Sequence, residues 1–143
     1  GGYARCATLE AGLAEADVIS LHTPMRPETH HMMNAARFAA TKRGALLINV
    51  ARAGLLDEAA LAEALLSRQL GGAGLDVYSA TAPQGPLSTC KNVLFTPHLG
   101  ATTEEALSRV AIGAAGHVVT ALAGGIPETA LNTADLPRIQ KAI

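Results

Sequence analysis

Short apolar runs alternate along this chain with stretches whose apolar residues fall at helical spacing. Ala16-Asp17-Val18-Ile19-Ser20-Leu21-His22 is a compact apolar run closed by Pro24, and it predicts a buried parallel strand. A short helix over Glu10 to Ala16 precedes it, and Asn34 is placed to cap a helical turn through Phe38 and Ala39. Gly44 to Val50 reads as a second strand. The clearest helix runs from Glu58 to Arg68, with Leu61, Leu65 and Leu66 at helical spacing, Asp57 as N-cap and Gly71-Gly72 as its stop. Ala73 to Tyr78 and Asn92 to Thr96 predict a third and a fourth strand, the last closed by Pro97. Thr102 then caps a long helix from Thr103 to about Leu122, ended by Gly124-Gly125. A Pro-punctuated tail follows from Ile126 to Ile143.

Strands that alternate with helices imply an α/β chain with a parallel sheet covered on both faces. Ligands of such open sheets bind outside the carboxyl ends of the strands. The polar residues of this chain gather there: His22-Thr23, Asn49 to Arg52, Asp76 and His98. That placement points to a small-molecule site before any motif is considered.

Composition narrows the classes. Hydrophobic residues make up 49% of the 143, close to a globular average, with two Phe, two Tyr and no Trp. The net charge is −1 and no basic stripe is visible, which argues against nucleic acid as partner. No apolar run approaches the roughly 18 residues needed to span a bilayer, and the start of the chain lacks the apolar stretch of a signal peptide. Cys6 and Cys90 lack metal-ligand spacing and read as two reduced, structural cysteines of a cytoplasmic protein.

Three residues carry the candidate chemistry. Arg52 either sits on the surface and pairs with Asp57, or presents a fork that holds a carboxylate and polarises the carbonyl beside it. His98, in Thr96-Pro97-His98-Leu99-Gly100-Ala101-Thr102, is either a plain polar histidine or a general acid/base placed just before a helix N-terminus. Asp76 is either a loop-capping carboxylate or one that faces a cofactor ring, and Thr23 with Pro24 forms either a plain turn or part of a nucleotide pocket. His22, His30, His31 and His117 have weaker claims. The His30-His31 pair has no Cys or carboxylate cluster near it in sequence, so no metal site is expected.

Four blocks, in order and in register, resemble the D-isomer-specific 2-hydroxyacid dehydrogenases. They are Ala16 to Pro24 with Pro27 to Asn34, Lys42 to Gly54 with Leu55-Leu56-Asp57-Glu58, Gly74 to Tyr78, and Asn92 to Ala101. The match runs from about residue 8 to residue 132. The His-Thr-Pro step and the Leu131-Asn132 ending look most like the branch that acts on 3-phosphoglycerate.

The resemblance implies the C-terminal part of an NAD-binding domain over residues 1–124, and over 125–143 the start of a return toward a substrate domain. It implies a partial Rossmann-like, doubly wound parallel sheet without its first βαβ unit. It implies hydride transfer between a D-2-hydroxyacid and NAD, with His98 as acid/base and Arg52 on the substrate carboxylate and carbonyl oxygen. Thr23, Val50, Ala51, Arg52, Asp76, His98, Gly100 and Ala101 fall on positions that line the cofactor. A homodimer, with the long helix near its interface, is also implied.

Two departures stand out. The family has a Glu before a Pro, shortly after the third strand, that bonds the catalytic His. Thr81 stands there in Ser79-Ala80-Thr81-Ala82-Pro83-Gln84, and no acidic residue occurs between Asp76 and Glu104. The imidazolium then lacks a charge-assisted bond, and reduction at neutral pH is expected to be weakened. The Gly-x-Gly-x-x-Gly turn and its acidic partner are absent too. Besides an enzyme, the sequence is therefore compatible with an NAD-sensing, corepressor-like binding domain or a non-functional partial gene product. Weak NAD binding by the chain alone is expected.

Overall fold

The computed structural model describes residues 3–131 and 133, and Asn132 with most of the return segment lies outside the described residues. The chain divides into two compact units, Gly1–His98 and Leu99–Ile143.

The first unit is built on β1 (Val18–Leu21), β2 (Ala45–Asn49), β3 (Leu70–Leu75) and β4 (Val93–Phe95). All pair in parallel in the order β1-β2-β3-β4, and β1 and β4 are the edges of this sheet. Helices α1 (Leu9–Glu15), α2 (Ala35–Ala39) and α3 (Glu58–Leu66) alternate with the strands, and a 3-10 turn at Gly85–Thr89 leads into β4. This is the expected α/β, Rossmann-like arrangement.

Each helix starts on a side-chain oxygen that satisfies otherwise orphaned backbone donors. Thr8 accepts from the Ala11 N–H at 3.1 Å and Asn34 from the Arg37 N–H at 3.1 Å. Asp57 accepts from the N–H groups of both Ala59 and Ala60, each at 3.1 Å. The end of α3 departs from expectation. Ser67 caps it and Arg68 turns the chain in the left-handed region at φ 56°. Gly71-Gly72 is not a helix stop but lies inside β3, which begins at Leu70, three residues earlier than the apolar pattern suggests. The register slips at this point, since Ala45 pairs with Leu70 and Leu46 with Gly72. A Cβ on the intervening Gly71 would stand 2.5 Å from the Gly44 carbonyl oxygen. The bulge therefore needs a glycine for close backbone approach, not for a turn.

The two faces of the sheet differ. Ile19, Leu21, Ala45, Leu47, Asn49, Leu70, Ala73 and Leu75 are buried, in one core with Leu13, Met33, Phe38, Leu61 and Leu65. Full burial of each such large apolar side chain is worth about 1.5–3 kcal/mol of transfer free energy. The alternate residues Val18, Leu46 and Leu94 stay exposed. The helices of the first unit thus cover one face. The expectation of cover on both faces is not met within this unit.

The second unit carries α4 (Glu104–Leu122). Thr103, not Thr102, is its N-cap, accepting from the Ala106 N–H at 3.2 Å. Gly124 at φ 79° follows its end, as a C-terminal glycine should. None of its residues is buried. No described helix is long and apolar enough to cross a membrane. The two cysteines differ as well. Burial pushes the Cys90 thiol up, whereas Cys6 is exposed and has no place in the core.

Candidate active site

The site forms where strands β2, β3 and β4 end. A cleft of about 330 Å³ is lined by Arg52, Ala53, Asp76, Val77, Tyr78, Ala80, Thr81, Pro97 and His98. Three of the sequence-predicted residues, Arg52, Asp76 and His98, meet here. Each arrives from the end of a different strand, so the parallel sheet is what brings them together.

Arg52 leaves β2 through a tight turn. The Asn49 side chain accepts from the Ala51 N–H at 3.1 Å and donates to the Arg52 carbonyl at 2.9 Å. The next residues wind into a 3-10 turn, Ala53–Leu55, whose Gly54 carbonyl accepts from the His31 N–H at 2.8 Å. The exposed guanidinium donates to the Ala51 carbonyl at 2.6 Å. Its remaining donors are available to an anion.

Asp76 directly follows β3. Its N–H donates to the Asn49 carbonyl at 3.0 Å, and the Thr96 hydroxyl donates to its Oδ1. That leaves Oδ2 as a fixed acceptor beside the cleft. Tyr78, two residues on, stacks edge-on against Phe95 with ring centroids 5.6 Å apart. The loop continues through Ser79, whose N–H and hydroxyl both donate to the Glu58 carboxylate, at 2.6 and 2.7 Å.

His98 is exposed and holds a left-handed backbone at φ 56°. Histidine tolerates this region better than most residues, but it remains a sparsely populated one. Among the described residues its ring has no hydrogen-bond partner. Thr81 lines the same cleft, at the place where the family carries a carboxylate.

Thr23, Val50 and Ala51 lie at the same edge of the sheet, beyond the ends of β1 and β2, but do not line this cleft. Gly100 and Ala101 belong to the second unit. Sequence reasoning missed Tyr78, Asn49, Thr96 and Glu58. For Tyr78 the signal was its position two residues past a strand-end aspartate. The other three act through hydrogen bonds to distant or folded-back backbone, which a linear pattern does not display. No group of three or more His, Cys, Asp or Glu suited to a metal ion occurs among the described residues.

A cationic fork, a carboxylate and an imidazole around one small cleft can bind a carboxylate, orient a polar ring substituent and move a proton. A family model described as D-isomer specific 2-hydroxyacid dehydrogenase, NAD binding domain, matches residues 2–100. The chain belongs to that family.

The relatives agree. The chain is 45% identical over 127 residues to the D-3-phosphoglycerate dehydrogenase of Mycobacterium tuberculosis (strain ATCC 25618 / H37Rv), covering 87% of this chain and 24% of that protein. It is 40% identical over 124 residues to the D-3-phosphoglycerate dehydrogenase of Methanocaldococcus jannaschii, covering 86% and 24%. The chain thus spans about a quarter of the length of these relatives. Among solved structures of the dehydrogenase fold, the TT0316 protein from Thermus thermophilus superposes with a TM-score of 0.79 at 45% identity, covering 85% of this chain and 39% of that one. A D-lactate dehydrogenase from Aquifex aeolicus, solved with NAD and lactic acid, superposes with a TM-score of 0.74 at 32% identity, covering 82% and 40%.

Proposed function

We propose that this chain forms the nicotinamide-facing part of an NAD-dependent dehydrogenase that oxidises a D-2-hydroxyacid, 3-phosphoglycerate first among them. The observation that carries this reading is the convergence of Arg52, Asp76 and His98 on one cleft. The names of the relatives support the substrate.

The residues present fit the nicotinamide end of the cofactor. Asp76 offers a fixed Oδ2 to a carboxamide N–H, and Val77, Ala53 and Pro97 give the cleft apolar walls. The phosphate-cradling glycine turn is absent from this sequence, so that end of the cofactor is held by other residues. When bound, NAD supplies the hydride acceptor at its nicotinamide ring.

Arg52 pairs its guanidinium with the substrate carboxylate and orients C2 toward the ring. His98 accepts the proton of the 2-hydroxyl as the hydride leaves C2, and returns it in the reverse direction. The complete protein acts as a homodimer in this reading. Exposed Leu107, Val110, Val118, Val119 and Leu122 on α4 support a partner surface. A cytoplasmic location belongs to the same proposal.

The test is turnover by the complete protein that carries this chain, with NAD and a panel of D-2-hydroxyacids that includes 3-phosphoglycerate. Oxidation is expected, and Arg52→Ala is expected to lower kcat/KM by about 10²–10³-fold, the value of a charge-assisted pair. No turnover with any 2-hydroxyacid, or an unaffected Arg52→Ala variant, overturns it. A second reading, an NAD-sensing binding domain, is favoured by Thr81 in the cleft that holds His98. NAD binding without turnover would select that reading.

A further inference from the structure

Asn49 is the last residue of β2 and is fully buried, at 0% exposure. Its neighbours in register are Leu21 on β1 and Leu75 on β3. An amide between two leucines costs desolvation that an apolar residue would avoid, unless every polar atom is bonded. Both side-chain ends are bonded, and both bonds go to the residues that lead to Arg52. Oδ1 accepts from the Ala51 N–H at 3.1 Å, and Nδ2 donates to the Arg52 carbonyl at 2.9 Å. These bonds form an Asx-type turn that takes the chain off the strand. They fix the backbone of Arg52, which stands extended at φ −146°, ψ 140°. The main chain of Asn49 has a separate duty, since its carbonyl accepts from the Asp76 N–H at 3.0 Å.

We infer that Asn49 is a positioning residue for substrate binding: its side chain sets Arg52, while its main chain alone ties in Asp76. The inference rests on the proposed role of Arg52. The division of labour makes it separable from general stability. Removing the side chain frees the Arg52 arm and leaves the Asp76 arm attached. A purely structural amide would not discriminate between the two ligands that these arms hold.

The experiment uses the complete protein and the variants Asn49→Ala, Asn49→Ser, Arg52→Ala and the Asn49→Ala/Arg52→Ala double. Calorimetry reads binding of NADH alone, and of oxamate, an unreactive 2-oxoacid analogue, with NADH present. Asn49→Ala is expected to weaken oxamate about tenfold and to raise the hydroxyacid KM similarly, with NADH binding within about twofold. Asn49→Ser keeps a short oxygen for the Ala51 N–H but cannot reach the Arg52 carbonyl, so it falls between, and it serves the same purpose if Asn49→Ala does not fold. The double variant is expected to bind oxamate no worse than Arg52→Ala, because Asn49 acts through that arginine. Equal losses for NADH and oxamate, or additive losses in the double variant, overturn the inference and leave Asn49 a structural amide. An Arg52→Ala single variant with unchanged oxamate binding overturns the functional reading itself, and shows it without reference to Asn49.

Discussion

Arg52 and Asp76 stand on the cleft in one way, His98 and Thr81 in another. Behind the first pair lies a continuous set of hydrogen bonds: Asn49 to Ala51 and Arg52, Asp76 to Asn49, and Thr96 to Asp76. Every bond in it is made within the first unit. The second pair lacks such backing. His98 is exposed on a left-handed backbone, Thr81 is exposed on the loop after β3, and neither side chain has a hydrogen-bond partner among the described residues. The half of the site that binds and orients is built by local chain, whereas the half that moves a proton is not. Preorganised donors contribute more to catalysis than mobile ones because they need not reorganise as charge develops. The proton-moving half is therefore where the largest change in activity should be obtainable.

Thr81→Glu is the strongest test of that difference. A carboxylate at this place would give the His98 imidazolium a charge-assisted partner within the cleft they share. Stabilising the protonated ring preserves the proton donor that reduction needs, and preserves it to higher pH. The expected result in the complete protein is about a tenfold gain in reduction rate at neutral pH, with the alkaline fall of the pH–rate profile displaced upward. An unchanged profile would show that Thr81 does not face His98 in the working site, and the contrast between the two halves would lose its functional meaning.

The strand ends were legible because parallel strands buried on the sheet read as compact apolar runs, and the residues just past them are the ones an open sheet exposes. Arg52, Asp76 and His98 could be placed on one edge by that rule alone. The start of β3 was hidden for a physical reason. Gly71-Gly72 reads as a terminator, yet Gly71 is there because the Gly44 carbonyl would collide with any Cβ. The bare face was hidden too. Val18, Leu46 and Leu94 are as apolar as their buried neighbours, so the pattern predicted cover that this unit does not supply. Asn49 could not be assigned from sequence, since nothing in Ile48-Asn49-Val50 shows that the amide turns back onto Ala51 and Arg52. The same holds for Thr96, whose partner Asp76 is 20 residues away.

Thr96→Val probes the held half from the cofactor side. Valine keeps the shape and removes the donor to Asp76 Oδ1, while the backbone bond from Asp76 to Asn49 survives. Asp76 then loses one of two restraints. The expected result is a rise of about fivefold in the KM for NAD, with the hydroxyacid KM nearly unchanged. Steady-state kinetics with each substrate varied in turn would check this. Equal effects on both constants would mean that the two arms of the held half are not independent.

Glu58→Gln probes the one anchor that the loose half has. The Glu58 carboxylate in the first turn of α3 accepts from both the N–H and the hydroxyl of Ser79, two residues before Thr81. Glutamine keeps one oxygen acceptor and loses the negative charge, so the bonds weaken without a change of size. Both groups lie near solvent, and water replaces much of what is lost. Turnover is expected to fall by only about twofold, while amide exchange at Ser79 accelerates. Combined with Thr81→Glu, the same change should remove part of the gain, because a carboxylate at residue 81 helps only if the loop holds it toward His98. Full retention of the gain would show that the loop needs no anchor, and that the missing carboxylate accounts for the looseness of this half by itself.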